Sequence, residues 1–185
     1  MLTVADVEDL LDAFDPGRDA RTLLSVTRVR TLLAQCRLPF DRTTYNPGHL
    51  TASGVVLAPD LDQVLLVYHR RLRRWLQPGG HIEPEDDSIA EAARREVLEE
   101  TGVKVERDRS AMVVGIDVHA IPAGRGEPPH WHHDLALAFV ARKKKLRPTD
   151  EVREAVWCRV DDLDRYAVDA ALRKSVKRAL GLVVA

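Results

Sequence analysis

A chain of 185 residues with 45% hydrophobic and 31% charged side chains has material for one domain with a full core. Its formal net charge of -1 supplies no global basic field to hold nucleic acid by its backbone, which argues against dedicated nucleic-acid binding. Cys36 and Cys158 stand far apart and outside any CxxC pair, so a disulfide scaffold and a thiolate zinc site are excluded and a reducing, cytoplasmic compartment is expected.

The start of the chain, MLTVADVEDLLDAFD, is acidic and amphipathic, unlike a signal peptide, and the apolar runs fall short of a membrane span. Val7, Leu10, Leu11 and Phe14 step by three and four and predict a helix from Ala5 to Phe14, broken by Asp15-Pro16-Gly17. A second helix is predicted from about Ala20 to Cys36, and Pro39 with Asn46-Pro47-Gly48 ends this helical lead. Residues 1–45 are therefore expected to be a helical extension and 46–185 the main domain. The extension can cover a cleft, pack on a sheet or mediate a homodimer, and its sequence does not separate these.

The period then changes. Leu50–Leu57 and Val64–Tyr68 are β-type runs around a turn at Pro59-Asp60-Leu61-Asp62. A glycine loop follows at Pro78-Gly79-Gly80, then a helix from about Ser88 to Thr101 that stops at Gly102, with Ser88 and Glu91 as a capping box. Further β-type runs are Ala111–His119, Leu135–Ala141 and Val156–Val160, and a last helix is expected from Asp161 to about Leu180. Strands interrupted by one charged helix and closed by another suggest an α/β or α+β layered domain.

The chemistry concentrates after Gly80. At roughly 100° per residue, Glu96 and Glu100 fall within about 40° of one another on a helix, with Glu99 to one side. Like charges at this spacing repel, and they crowd the helix end whose dipole disfavours anions. A hard divalent cation such as Mg²⁺ removes the conflict by taking carboxylate oxygens while keeping waters and substrate phosphates in its other positions. Arg95 stands four residues before Glu99 and can steady the cluster, and Gly79-Gly80 lets the backbone approach an ion or a phosphate.

The run Arg95, Glu96, Val97, Glu99, Glu100, Gly102 and Val103 resembles, position by position, the second half of the Nudix box. The first half departs from it. Counting back from Arg95 puts the box's first acid on Asp87, whereas counting forward from Gly80 puts it on Asp86, so the loop is one residue longer and an aspartate replaces a glutamate. The departure is expected to change loop geometry and leave metal binding intact. The resemblance continues weakly in Val64–His69 followed by Arg70 and Arg71, and in Glu151, six residues before Trp157; it covers roughly residues 50 to 180.

That resemblance implies a Nudix-type α/β/α sandwich with a mixed central sheet, the box helix packed on it, and the N-terminal helical extension outside. It implies a pyrophosphohydrolase that cleaves a phosphoanhydride in a nucleoside diphosphate-linked or related diphosphate. Glu96, Glu99 and Glu100, with the Gly80 carbonyl and Glu151, are the implied ligands of Mg²⁺ or Mn²⁺. Either Glu96 or Glu151 takes the proton of the attacking water. Arg70 and Arg71, with Arg73 and Arg74 nearby, either hold phosphate oxygens or form a solvated loop. His81 is a candidate phosphate contact.

His130-Trp131-His132-His133-Asp134 has two readings. On a strand, His130, His132 and Asp134 share one face and can line the substrate cleft or hold a transition metal; otherwise the segment is a polar loop edge. Lining of the cleft by His132 and Asp134 is preferred to ligation. Trp75 is expected to be packing, and Arg142-Lys143-Lys144-Lys145 a soluble hairpin tip. Marks of the ADP-ribose, dinucleoside-polyphosphate and NADH classes are not found, which leaves the substrate open. A diphosphate isomerase of the same fold needs a cysteine near the box that Cys36 and Cys158 do not offer. A non-catalytic nucleotide sensor is the remaining alternative, and the intact Glu96, Glu99 and Glu100 favour the enzyme.

Overall fold

The computed structural model describes residues 1–106, 112–124, 126–147, 149, 152 and 154–184. Two helices, α1 (Val4–Ala13) and α2 (Ala20–Gln35), lead into the strands β1 (His49–Leu57), β2 (Gln63–His69), β3 (Arg74–Leu76) and β4 (Gly79–His81). Helix α3 (Ile89–Thr101) follows, then β5 (Val113–Ile121), β6 (His130–Val140), β7 (Ala155–Arg159), a 3₁₀ helix (Val160–Tyr166) and α4 (Ala170–Val184).

All seven strands belong to one mixed sheet with the path β3-β2-β1-β6-β5, to which β4 adds on β1 and β7 on β2. Strands β1 and β6 run parallel over the whole of β1, from His49 opposite His132 to Leu57 opposite Val140. The other pairings are antiparallel. Strand β1 is buried at all nine positions because both faces of the sheet are covered. Leu50, Ala52 and Val56 face a core shared with α1, α2 and α3, whereas Val55 and Leu57 face a second core shared with α4 and the 3₁₀ helix. The N-terminal helices join the first core through Val7, Leu11, Phe14, Val29, Leu32 and Leu33, so they pack on the sheet.

Helix α3 follows from its sequence. Ser88 caps it by accepting the amide of Glu91 at 3.1 Å, and Gly102 ends it at φ 69°, a left-handed conformation that glycine adopts without a Cβ clash. Ile89, Ala92, Ala93 and Val97 are fully buried at helical spacing. The helix lies so close to β1 that a Cβ at Gly54 would stand 2.6 Å from Val97 Cγ2. Only half of the expected capping box forms: the Glu91 carboxylate turns to the amide of Asp87 at 3.2 Å instead of that of Ser88.

Four other expectations need correction. The Gly79-Gly80 loop is a short strand paired to Ala52 and Ser53. The segment from His130 is no loop edge but the first half of β6, with His130, His133 and Asp134 buried. The last helix is divided, because Ala167 turns left-handed at φ 48° and the Asp169 carboxylate accepts the amide of Leu172, restarting the helix there. The basic run 142–145 is also no hairpin tip: Lys144 is anchored to Asp60 and Asp62 in the β1–β2 turn, and its carbonyl accepts Trp157 Nε1 at 2.9 Å.

Candidate active site

Helix α3 brings its last turns to the edge of a cleft of about 390 Å³ whose other walls are strands β1, β4, β5 and β6 and the β2–β3 turn. Glu96 and Glu100 are buried, at 9% and 8% exposure, while the Glu99 side chain is half exposed. Arg95 holds this end of the helix together. Its Nη1 donates to Glu96 at 2.8 Å and to Glu99 at 3.0 Å, and its Nη2 donates to the His81 carbonyl at 2.8 Å. Nε and Nη2 donate to both oxygens of Asp86, at 3.2 and 2.8 Å, in the planar two-point fit that guanidinium makes with carboxylate. Burial alone lowers the Arg95 pKa, but the hydrogen bonds to Asp86 and Glu96 outweigh it and hold the guanidinium above its ordinary value.

This geometry decides the register of the lengthened loop. Asp86 is buried, pairs with Arg95 and accepts the amide of Glu83 at 2.9 Å, so it is the acid that supports the loop. Asp87 is 75% exposed and meets the terminal amine of Met1. The extra residue therefore lies after Asp86.

Strand β4 closes over the carboxylates. The Gly79 amide donates to Glu100 at 3.0 Å. A Cβ at Gly80 would stand 2.6 Å from the Glu96 carboxyl carbon, so only a glycine lets the backbone come this near. Glu96, Glu99 and Glu100 gather around one guanidinium and a glycine backbone, a hard-oxygen donor set that suits Mg²⁺ or Mn²⁺ and not a thiolate-seeking ion. Glu151 lies outside the described residues.

The arginines of the β2–β3 turn divide. Arg70 and Arg73 are exposed, and Arg70 lines the cleft. Arg71 is paired with Glu127 at 2.7 Å and bonds the Pro122 carbonyl, while Arg74 lies 3.6 Å from Asp169. Trp75 is edge-on to Tyr68 and Tyr166, at 5.4 and 5.0 Å between ring centres, and packs against the second core as expected.

The sheet supplies the remaining wall. Asp134 is buried and accepts Thr51 Oγ1 at 2.9 Å and Ser53 Oγ at 2.6 Å, with Gln77 Nε2 at 3.3 Å. Burial raises its pKa, although both hydroxyls oppose the shift. Opposite it, Asp117 feels burial in the same sense, but His119 at 3.2 Å and Arg21 at 3.0 Å hold it below the usual carboxylate range. His81 and His132 stand face to edge, with ring centres 5.3 Å apart. Burial lowers His81 to about 4 and pushes His132 lower still, helped by the neighbouring His49 and, for His81, by Arg42. Of the residues expected at the site, Arg70, Arg71, Gly80, His81, Arg95, Glu96, Glu99, Glu100, His132 and Asp134 all border this one cleft.

Sequence reasoning missed Thr51, Ser53, Asp117, His119 and Glu127. A signal existed for the first four. Thr51 and Ser53, like Asp117 and His119, are polar at alternate positions of otherwise apolar runs, which places them on one face of a strand.

A family model described as the NUDIX domain matches residues 48–179 of this cleft-bearing sheet and its helices. The chain belongs to the Nudix family. It is accordingly a hydrolase acting on phosphoanhydride bonds. It is similar to nucleoside triphosphatase NudI of Klebsiella pneumoniae, with 30% identity over 108 residues that span 57% of this chain and 75% of the relative. The protein of the same name from Escherichia coli is 27% identical over 107 residues, 56% of this chain and 74% of that one. In fold it is similar to a NUDIX-family hydrolase from Clostridium perfringens, with a TM-score of 0.57 and 24% identity over 73% of this chain and 97% of that one.

Proposed function

We propose that this Nudix hydrolase is a metal-dependent pyrophosphohydrolase of a small nucleotide, cleaving the phosphoanhydride of a nucleoside diphosphate-linked or polyphosphate substrate. One observation carries the proposal: Glu96 and Glu100 meet at the Gly79-Gly80 backbone, and Glu99 is held beside Glu96 by Arg95, on the border of a cleft of about 390 Å³, a volume in the range of small-molecule sites. The similarity to two nucleoside triphosphatases supports a nucleotide as the substrate.

In this proposal Glu96, Glu99 and Glu100, with the Gly80 carbonyl, hold Mg²⁺ or Mn²⁺. The bound cation supplies polarisation of the diphosphate and lowers the pKa of a water. Arg95 positions Glu96 and Glu99 and ties them through Asp86 and the His81 carbonyl to the loop, so the carboxylates do not have to reorganise during the reaction. Glu100 fixes β4 through the Gly79 amide. A carboxylate, Glu96 or Glu151, accepts the proton of the attacking water. Arg70, exposed on the cleft border, and His81 are the proposed phosphate contacts; Arg71, already bound to Glu127, shapes the wall beside them.

Residues 46–185 form the proposed catalytic domain, with 1–45 as an extension that buttresses the sheet. No helix of the described residues is long and apolar enough to cross a membrane. A cytoplasmic location belongs to the same proposal and rests on the free thiols of Cys36 and Cys158.

The test is release of phosphate or nucleotide from a panel of nucleoside diphosphate-linked compounds and nucleoside triphosphates, with and without Mg²⁺ or Mn²⁺. Turnover that needs the cation and falls by ~10²–10⁴ in Glu100→Gln is expected. Tight binding of a panel compound without turnover by the wild type, or an unchanged rate in Glu100→Gln, overturns the proposal.

A further inference from the structure

Imidazoles gather on the sheet wall of the cleft, and of these only His81 has a part in the proposed phosphate chemistry. His49 on β1, His81 on β4 and His132 on β6 each offer one ligand nitrogen, and the three nitrogens lie within 4.8 Å of one another. The ring centres form a nearly equilateral triangle with sides of 4.9, 5.2 and 5.3 Å. In a tetrahedral site with metal–nitrogen distances of about 2.0–2.1 Å, and ring centres about 1.1 Å behind the nitrogens, the ring centres stand about 5.2 Å apart. The rings therefore already have the spacing of three ligands on one ion. To bring the nitrogens to about 3.4 Å from one another, as a tetrahedral ion requires, the rings rotate about a soft side-chain torsion.

A second observation points to a ligand. His49 is fully buried, and its Nε2 has no hydrogen-bond partner, an unusual state for a buried polar atom. Its Nδ1 lies 3.2 Å from the Thr44 carbonyl oxygen. A carbonyl only accepts, so it places the proton on Nδ1 and leaves a lone pair on Nε2, the way metal-binding histidines are oriented from behind. His130 repeats the arrangement: Nδ1 donates to the Pro128 carbonyl at 2.8 Å, and Nε2 lies 3.2 Å from Nε2 of His132.

We propose that His49, His81 and His132 form a second metal site, for a transition-metal dication such as Zn²⁺, with His130 beside it as a further nitrogen. Imidazole favours Zn, Cu, Fe and Ni, whereas Mg²⁺ stays with the oxygens of α3, so the two sites select different ions by donor chemistry. The sheet organises the ligands: His49 is the register partner of His132, and His81 that of Thr51, two residues along β1. An ion there fastens β4, and with it Gly80, to the centre of the sheet.

The test uses the full chain, stripped with a chelator and titrated with Co²⁺ while its visible ligand-field spectrum is followed. One equivalent of Co²⁺ with a nitrogen-ligated spectrum is expected, displaced by Zn²⁺ and not by excess Mg²⁺. The spectrum survives in Glu96→Gln/Glu99→Gln/Glu100→Gln, and the affinity falls by ~100-fold or more in His132→Gln. The half-buried His81, changed to Gln, provides a second variant should His132→Gln fail to fold as judged by circular dichroism. A wild type without the spectrum, a spectrum lost with the three glutamates, or an affinity unchanged in His81→Gln overturns the proposal.

Discussion

The two polar walls of the cleft are built on opposite principles. The α3 wall takes its donors from one stretch of helix, where Arg95, Glu96, Glu99 and Glu100 follow one another and are braced by a single guanidinium. The sheet wall takes its imidazoles from four strands, with His49, His81, His119 and His132 brought together by register alone. Helical spacing fixes the first set locally; long-range pairing fixes the second. The first is rich in hard anionic oxygen, the second in imidazole nitrogen, and burial favours the uncharged form of His49, His81 and His132. Strand β4 is where the two meet, since Gly80 touches Glu96 and the next residue, His81, joins the imidazoles.

The largest effect on this comparison is expected from Gly80→Ala. Its methyl would stand 2.6 Å from the Glu96 carboxyl carbon, so either the Glu96 carboxylate leaves its place beside Arg95 or β4 shifts. Steady-state hydrolysis should fall by ~10²-fold, the order associated with a misplacement near 1 Å. A normal rate would show that the two walls do not depend on the close approach at Gly80.

Next in size is the contrast between adjacent aspartates. Asp86→Asn leaves the partly buried Arg95 guanidinium short of a charged partner and should lower unfolding stability by about 1.5–3 kcal/mol. Asp87→Asn, at an exposed position, should stay within about 0.5 kcal/mol. Urea melts decide it, and equal effects would undo the assignment of Asp86 as the supporting acid.

The most gradual effect is a graded response to acid on the histidine side. Burial, assisted by Arg74, lowers His69 to about 4, and burial likewise lowers His133 to about 4, both from the ordinary 6.5. The unfolded chain thus binds these protons first as pH falls. The contribution to stability is complete above about pH 6.5 and is lost progressively down to about pH 4. Denaturant midpoints should decline through that window, and His69→Gln should make the decline shallower. A flat profile in the wild type would count against neutral, buried imidazoles.

What the sequence could show follows the same division. The α3 site was legible because a helix converts spacing directly into a shared face, so Glu96, Glu99 and Glu100 could be placed before any tertiary structure. The core strands were legible from Leu50–Leu57 and Val64–Tyr68 for a similar reason. The first half of β6 was not, since His130, His132 and Asp134 look like loop residues until β1 and β5 pair with them on either side. Asp86 and Asp87 were equivalent by counting, and only the position of the Arg95 fork separates them. The division after Tyr166 depends on one left-handed residue, Ala167, whose conformation no apolar period announces.

Strand β1 pairs with β6 along its whole length, with β4 at its first half and with β2 at its end, and it is buried throughout. Its amides are therefore among those that local fraying reaches last, and their exchange with solvent should require opening of the sheet as a whole. Thr51 and Ser53, which hold Asp134, and His49 are carried on that slow element. Local opening of the outer helices can thus occur without disturbing the order of the groups on this wall.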